Sequence, residues 1–101
     1  MHTRLRSLFM SLVGRRYREL PSNVGRHDID AVLTALRAEK ISQSGSPAFE
    51  VTNDYFRIGR RKLRLCTEDE MFVSLWGPRT LVDQVYARII EHSEARERHR
   101  A

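Results

Sequence analysis

The stretch from Phe49 to Trp76, FEVTNDYFRIGRRKLRLCTEDEMFVSLW, decides the fold. Its apolar residues alternate with polar or charged neighbours, as Phe49 and Val51, Phe56 and Ile58, Leu63 and Leu65, then Met71, Val73 and Leu75. A period of two is that of strands with one face buried. Asn53-Asp54 and Gly59-Arg60-Arg61 carry hairpin-turn chemistry, and Thr67 to Glu70 reads as a short acidic connection. The expectation is an antiparallel meander of three or four short strands. The number turns on whether Tyr55 to Ile58 ends at Gly59 or continues across a bulge there.

On either side of this stretch the period lengthens to that of a helix. Leu5, Leu8, Phe9, Leu12, Val13, Tyr17 and Leu20 recur at spacings of three and four, with Pro21 as the stop, which predicts a first helix bordered by arginines. A second pattern from about Asp28 to Lys40 sends Ile29, Val32, Leu33 and Leu36 to one side, with Asp28 or Asn23 able to cap it. Ser42 to Pro47 is turn-forming and poor in apolar residues, so it reads as a loop. Beyond the strands, Gly77-Pro78 opens a last helix whose stripe is Leu81, Val82, Val85, Tyr86, Ile89 and Ile90. The fold class predicted is therefore α+β, with two N-terminal helices, a three- or four-stranded antiparallel meander and a C-terminal helix. Residues 1–92 form one domain, and 93–101 read as a solvated charged tail.

A chain of 101 residues supports one core and no second domain. Its formal net charge of +5 is unevenly spread. Arg4, Arg6, Arg15, Arg16 and Arg18 all precede the first acid, Glu19, and the run Arg57, Arg60, Arg61, Lys62 and Arg64 holds no acid. Such clusters favour polyanionic partners, nucleic acid above all, although a solvated basic face needs no partner. Cys66 is the only cysteine, which excludes an intramolecular disulfide and suits a reducing, cytoplasmic setting. No apolar run reaches the roughly 20 residues that span a bilayer, and a membrane-surface role for the first helix is the weaker use of it.

The residues that could carry chemistry are few. There is no glycine-rich phosphate loop, no paired cysteines and no His-Glu metal helix, so neither an enzyme nor a bound cofactor, metal or small-molecule substrate is expected. A nucleophilic Cys66 would need His27 or His92 beside it, and a lone cysteine at a strand end is more often a small core residue.

The sheet offers more. If Met71, Val73 and Leu75 face the core, the pleat turns Phe72, Ser74 and Trp76 to the other side together with Lys62 and Arg64, and Tyr55 and Arg57 extend the patch if their strand keeps register. Aromatic rings beside cations are what a single strand of RNA or DNA needs, since bases stack on rings while cations track phosphates. The candidate nucleic-acid-binding residues are Arg57, Arg60, Arg61, Lys62, Arg64, Phe72 and Trp76. The alternatives are that Phe72 and Trp76 are core beneath a helix, or that with the N-terminal helix they make a protein adaptor or homodimer surface.

Overall fold

A computed structural model describes residues 15–46, 50–69 and 72–100. The elements are β1 (Arg15–Glu19), α1 (Arg26–Ala35), β2 (Glu39–Ser46), β3 (Val51–Ile58), β4 (Arg61–Glu68), β5 (Phe72–Pro78) and α2 (Arg79–Arg100). The five strands form one sheet in the order β1-β5-β4-β3-β2, with every neighbouring pair antiparallel. Both helices pack on one face of it. Leu63, Leu65 and Leu75 rise from the sheet to meet Ile29, Val32 and Leu33 of α1 and Leu81, Val82, Val85 and Ile89 of α2 in a single core.

Within the sheet, β3, β4 and β5 follow one another as antiparallel neighbours, with a hairpin at Gly59. Val51 to Ile58 and Arg61 to Glu68 are separate strands joined by the two-residue turn Gly59-Arg60. Gly59 has a φ of 65°, the sign a type II′ turn requires at its first central position. Asn53 and Asp54, read from sequence as a turn, instead lie in the middle of β3, with Asp54 buried on the helix side near Lys40 and Arg26.

Two N-terminal helices are not what forms. Residues 15–19, the end of the expected first helix, are the edge strand β1, paired with β5 from Arg15 opposite Pro78 to Glu19 opposite Ser74. The period here is two. Arg16 and Arg18 turn to the helices, where Arg16 Nε lies 2.8 Å from Asp83 and the Arg18 guanidinium sits 3.6 Å from the Tyr86 ring centre. Tyr17 turns the other way, onto Trp76. Arginine stems covering apolar surface gave β1 no apolar alternation for a sequence reading to find. Leu5, Leu8, Phe9, Leu12 and Val13 lie outside the described residues, as do Phe49 and Met71.

Two further boundaries move. The expected loop at Ser42 to Pro47 is strand through Ser46, so the sheet has five strands where three or four were expected. β2 is an edge held to β3 by main-chain hydrogen bonds, with a bulge between Lys40 and Ser42, and these bonds do not depend on apolar side chains. Gly45 fits because β2 runs close to β3, where a Cβ would stand 2.7 Å from the Val51 carbonyl oxygen. The helix read as ending near Lys40 ends at Ala35, after which Arg37 adopts a φ of 56° and turns the chain into β2.

The N-terminus of α1 is pinned to the far end of α2. Gly25 is the N-cap, and its amide donates to Asp28 Oδ2 at 2.8 Å. Asp28 is fully buried and also accepts from Arg96 Nη2 at 3.0 Å, with His92 Nδ1 2.7 Å away. Burial alone would raise this carboxyl's pKa, but the hydrogen bonds from Arg96, the Gly25 amide and His92 outweigh it and hold Asp28 well below the usual carboxylate range. The segment after His92 thus continues as helix to Arg100, with Ser93 buried and Arg96 anchored. No helix among the described residues is long and apolar enough to cross a membrane.

Candidate functional site

The face of the sheet opposite the helices is the candidate site. Residues opposite one another in an antiparallel pair share a face, so the register assigns it. Arg64 pairs with Trp76 on one side and Tyr55 on the other, Tyr17 pairs with Trp76, and Arg57 pairs with Lys62. All alternate with Leu63, Leu65 and Leu75, which point into the core. No described element covers this face. Trp76, Arg64, Tyr55 and Tyr17 are half-buried among one another, while Lys62 and Arg57 are exposed.

At its centre three side chains stack. The Tyr17 and Trp76 ring centres lie 4.3 Å apart with planes tilted by 49°. The Arg64 guanidinium lies 4.4 Å from the centre of the Trp76 ring. The indole is oriented from below, where Nε1 donates to Ser74 Oγ at 2.9 Å. Its polar edge is therefore satisfied within the sheet, and the ring is held against Tyr17 and Arg64.

The basic residues separate by what they touch. Arg57 is neutralised by Glu39 at 2.9 Å. Arg61 points to the helix side, where it donates to Thr80 Oγ1 at 3.1 Å at the start of α2. Arg60 occupies the exposed turn, Lys62 is exposed on the open face, and Arg64 lies on Trp76. None of these three forms an ion pair among the described residues, and Arg64 Nε has no hydrogen-bond acceptor there. Arg16, Arg18, Arg26, Lys40 and Arg96 are each paired with a carboxylate.

The residues singled out from sequence are therefore only partly gathered. Lys62, Arg64 and Trp76 come together, with Arg60 at the adjoining turn and Arg57 beside Lys62 but already paired. Arg61 lies on the other side of the sheet. Phe72 is on the open face and 61 % exposed, but its register partner is Glu68 and it stands at the opposite end of β5 from Trp76. Tyr17 was missed, because its spacing fitted a helix as well as a strand.

Other groups of chemical interest lie apart. Cys66 is buried on the open face, paired in register with Ser74, whereas His92 and His27 approach Asp28 on the helix side, so the structure brings the thiol to neither of these two imidazoles. Among the described residues no group of three or more His, Cys, Asp or Glu could hold a metal ion. No protein-family model, curated protein or solved structure matches the chain.

Proposed function

We propose that this chain is a non-enzymatic binding module that holds single-stranded nucleic acid across the Trp76 end of its open sheet face. The observation that carries the reading is the Arg64 guanidinium lying on the Trp76 ring, with no ion pair to a carboxylate among the described residues. A guanidinium on an indole offers its outer plane to a base, while its terminal Nη N–H groups can reach phosphate oxygens. Tyr55, next to Arg64 in register, supplies a further ring, and Lys62 and Arg60 continue the positive charge toward the hairpin turn. The β3–β4 hairpin then contacts backbone and the sheet contacts bases. The single cysteine, buried and outside any disulfide, agrees with a cytoplasmic site of action.

The test is a titration of a labelled mixed-sequence oligonucleotide, single-stranded and double-stranded, followed by fluorescence anisotropy. Three cations that form no ion pair among the described residues predict a log K that falls with log salt at a slope of roughly −2 for single strands. Arg64→Ala, Lys62→Ala and Arg60→Ala should weaken binding, and Arg57→Ala, whose charge is already paired, should change it little. An absent or salt-insensitive response sinks the reading. The other reading, a protein adaptor or homodimer surface, rests on the exposure of Phe72, and self-association abolished by Phe72→Ala would favour it instead.

A further inference from the structure

The far end of the same face has the opposite chemistry. Between the start of β5 and the end of β1 lies a small depression whose described lining is Tyr17, Glu19, Leu20, Glu68, Phe72, Val73 and Ser74. Among the described residues no lysine, arginine or histidine lines it. Glu19 accepts a hydrogen bond from the Tyr17 hydroxyl, which fixes one carboxylate beside the ring. Glu68 is exposed and makes no ion pair among the described residues. Phe72, the most exposed large apolar side chain described, belongs to this depression and stands opposite Glu68 in register, away from Arg64.

We propose that this depression binds the cationic side chain, lysine or arginine, of a partner protein. Two aromatic residues and two glutamates around a depression with no cation among its described lining residues are complementary to one positive group on an aliphatic stem. The ring faces attract the charge, the carboxylates neutralise it, and the rings take the methylenes. A nucleic-acid strand is disfavoured here, because phosphates would meet Glu19 and Glu68. The rings Phe72 and Trp76 are four residues apart on β5, about 13 Å at the usual strand rise, so both sites fit on one face. The inference does not depend on the nucleic-acid reading, since it uses different residues of opposite charge.

The probes are the blocked pentapeptides Gly-Gly-Arg-Gly-Gly and Gly-Gly-Lys-Gly-Gly, with the norleucine analogue as the uncharged control, titrated into the isotope-labelled full chain and followed by NMR. Expected are saturable shifts at Tyr17, Glu19, Glu68 and Phe72 with a cationic peptide and none with norleucine. Glu68→Gln, an exposed substitution that leaves the fold intact, should weaken binding about fivefold. The same variant should bind oligonucleotide at least as well as the parent, which keeps the two sites distinguishable. Equal shifts with norleucine, or no saturable shift with either cation, would overturn the proposal. So would an Arg4→Gln, Arg6→Gln variant that moves these same resonances without peptide, because the chain's own arginines would then be the occupant.

Discussion

Asp28 and Arg96 are 68 residues apart in sequence, and their carboxylate and guanidinium meet through hydrogen bonds of 3.0 and 3.2 Å. The contact ties the first turn of α1 to the last turns of α2, so both helices are fixed over the sheet at the end remote from the hairpin turn. Since Asp28 is fully buried, its charge must be met inside the protein, and the Gly25 amide, His92 and Arg96 meet it. Asp28→Asn should therefore lower stability by about 2 kcal/mol, near the lower part of the range for a lost charged hydrogen-bond set, because Arg96 and His92 can turn to water. Urea unfolding followed by far-UV circular dichroism checks this, and a change within the noise of the parent would show the contact to be incidental.

The same carboxylate sets an acid limit. Its folded pKa lies below the unfolded value near 4, so the stability it contributes is fully present above that value and is lost as pH falls from about 4 toward the folded pKa. Unfolding midpoints measured from about pH 6 down to about pH 2.5 should fall for the parent and fall less steeply for Asp28→Asn. Parallel profiles for the two proteins would show that other carboxylates carry the acid sensitivity.

Trp76 reports on the open face. Its ring is bounded by Tyr17 and Arg64, and no described helix lies over it. Tyr17→Ala should shift its emission to the red and increase quenching by acrylamide, a neutral quencher that Arg64 does not attract, at a stability cost of about 1 kcal/mol for the lost ring pair. A spectrum unchanged in Tyr17→Ala would mean that something else covers the indole.

Much of this face was legible in the sequence because a pleat has only two sides. The alternation through Leu63, Leu65, Val73 and Leu75 assigned Lys62, Arg64, Phe72 and Trp76 to the side away from the core, and the register agrees. The two strands at the sheet edges were not legible. β1 carries arginines where a buried strand face would carry leucines, and only the presence of Asp83 and Tyr86 on α2 makes those arginines satisfactory. β2 is written in Ser, Gln and Gly, residues of turns, and is a strand because β3 offers it a complete main-chain ladder. The separation of charges at the site was hidden for a similar reason. A run of five cations looks uniform in sequence, but Glu39 neutralises Arg57 and Thr80 accepts a hydrogen bond from Arg61, and folding brings both of these partners from elsewhere. Phe72 and Trp76 looked equivalent, and differ because Glu68 and Glu19 fold beside one and Arg64 beside the other.

The most direct test of the open face as a nucleic-acid surface is the fluorescence of Trp76, the only tryptophan, during titration with an unlabelled single-stranded oligonucleotide. A base stacked on the Arg64–Trp76 pair should quench the emission saturably, and raising salt from about 50 to 200 mM should weaken the apparent affinity about twentyfold. In Arg64→Ala the quenching should saturate only at several-fold higher oligonucleotide concentration. Emission that stays constant while the oligonucleotide is added, or that is quenched equally in the parent and in Arg64→Ala, would contradict the account.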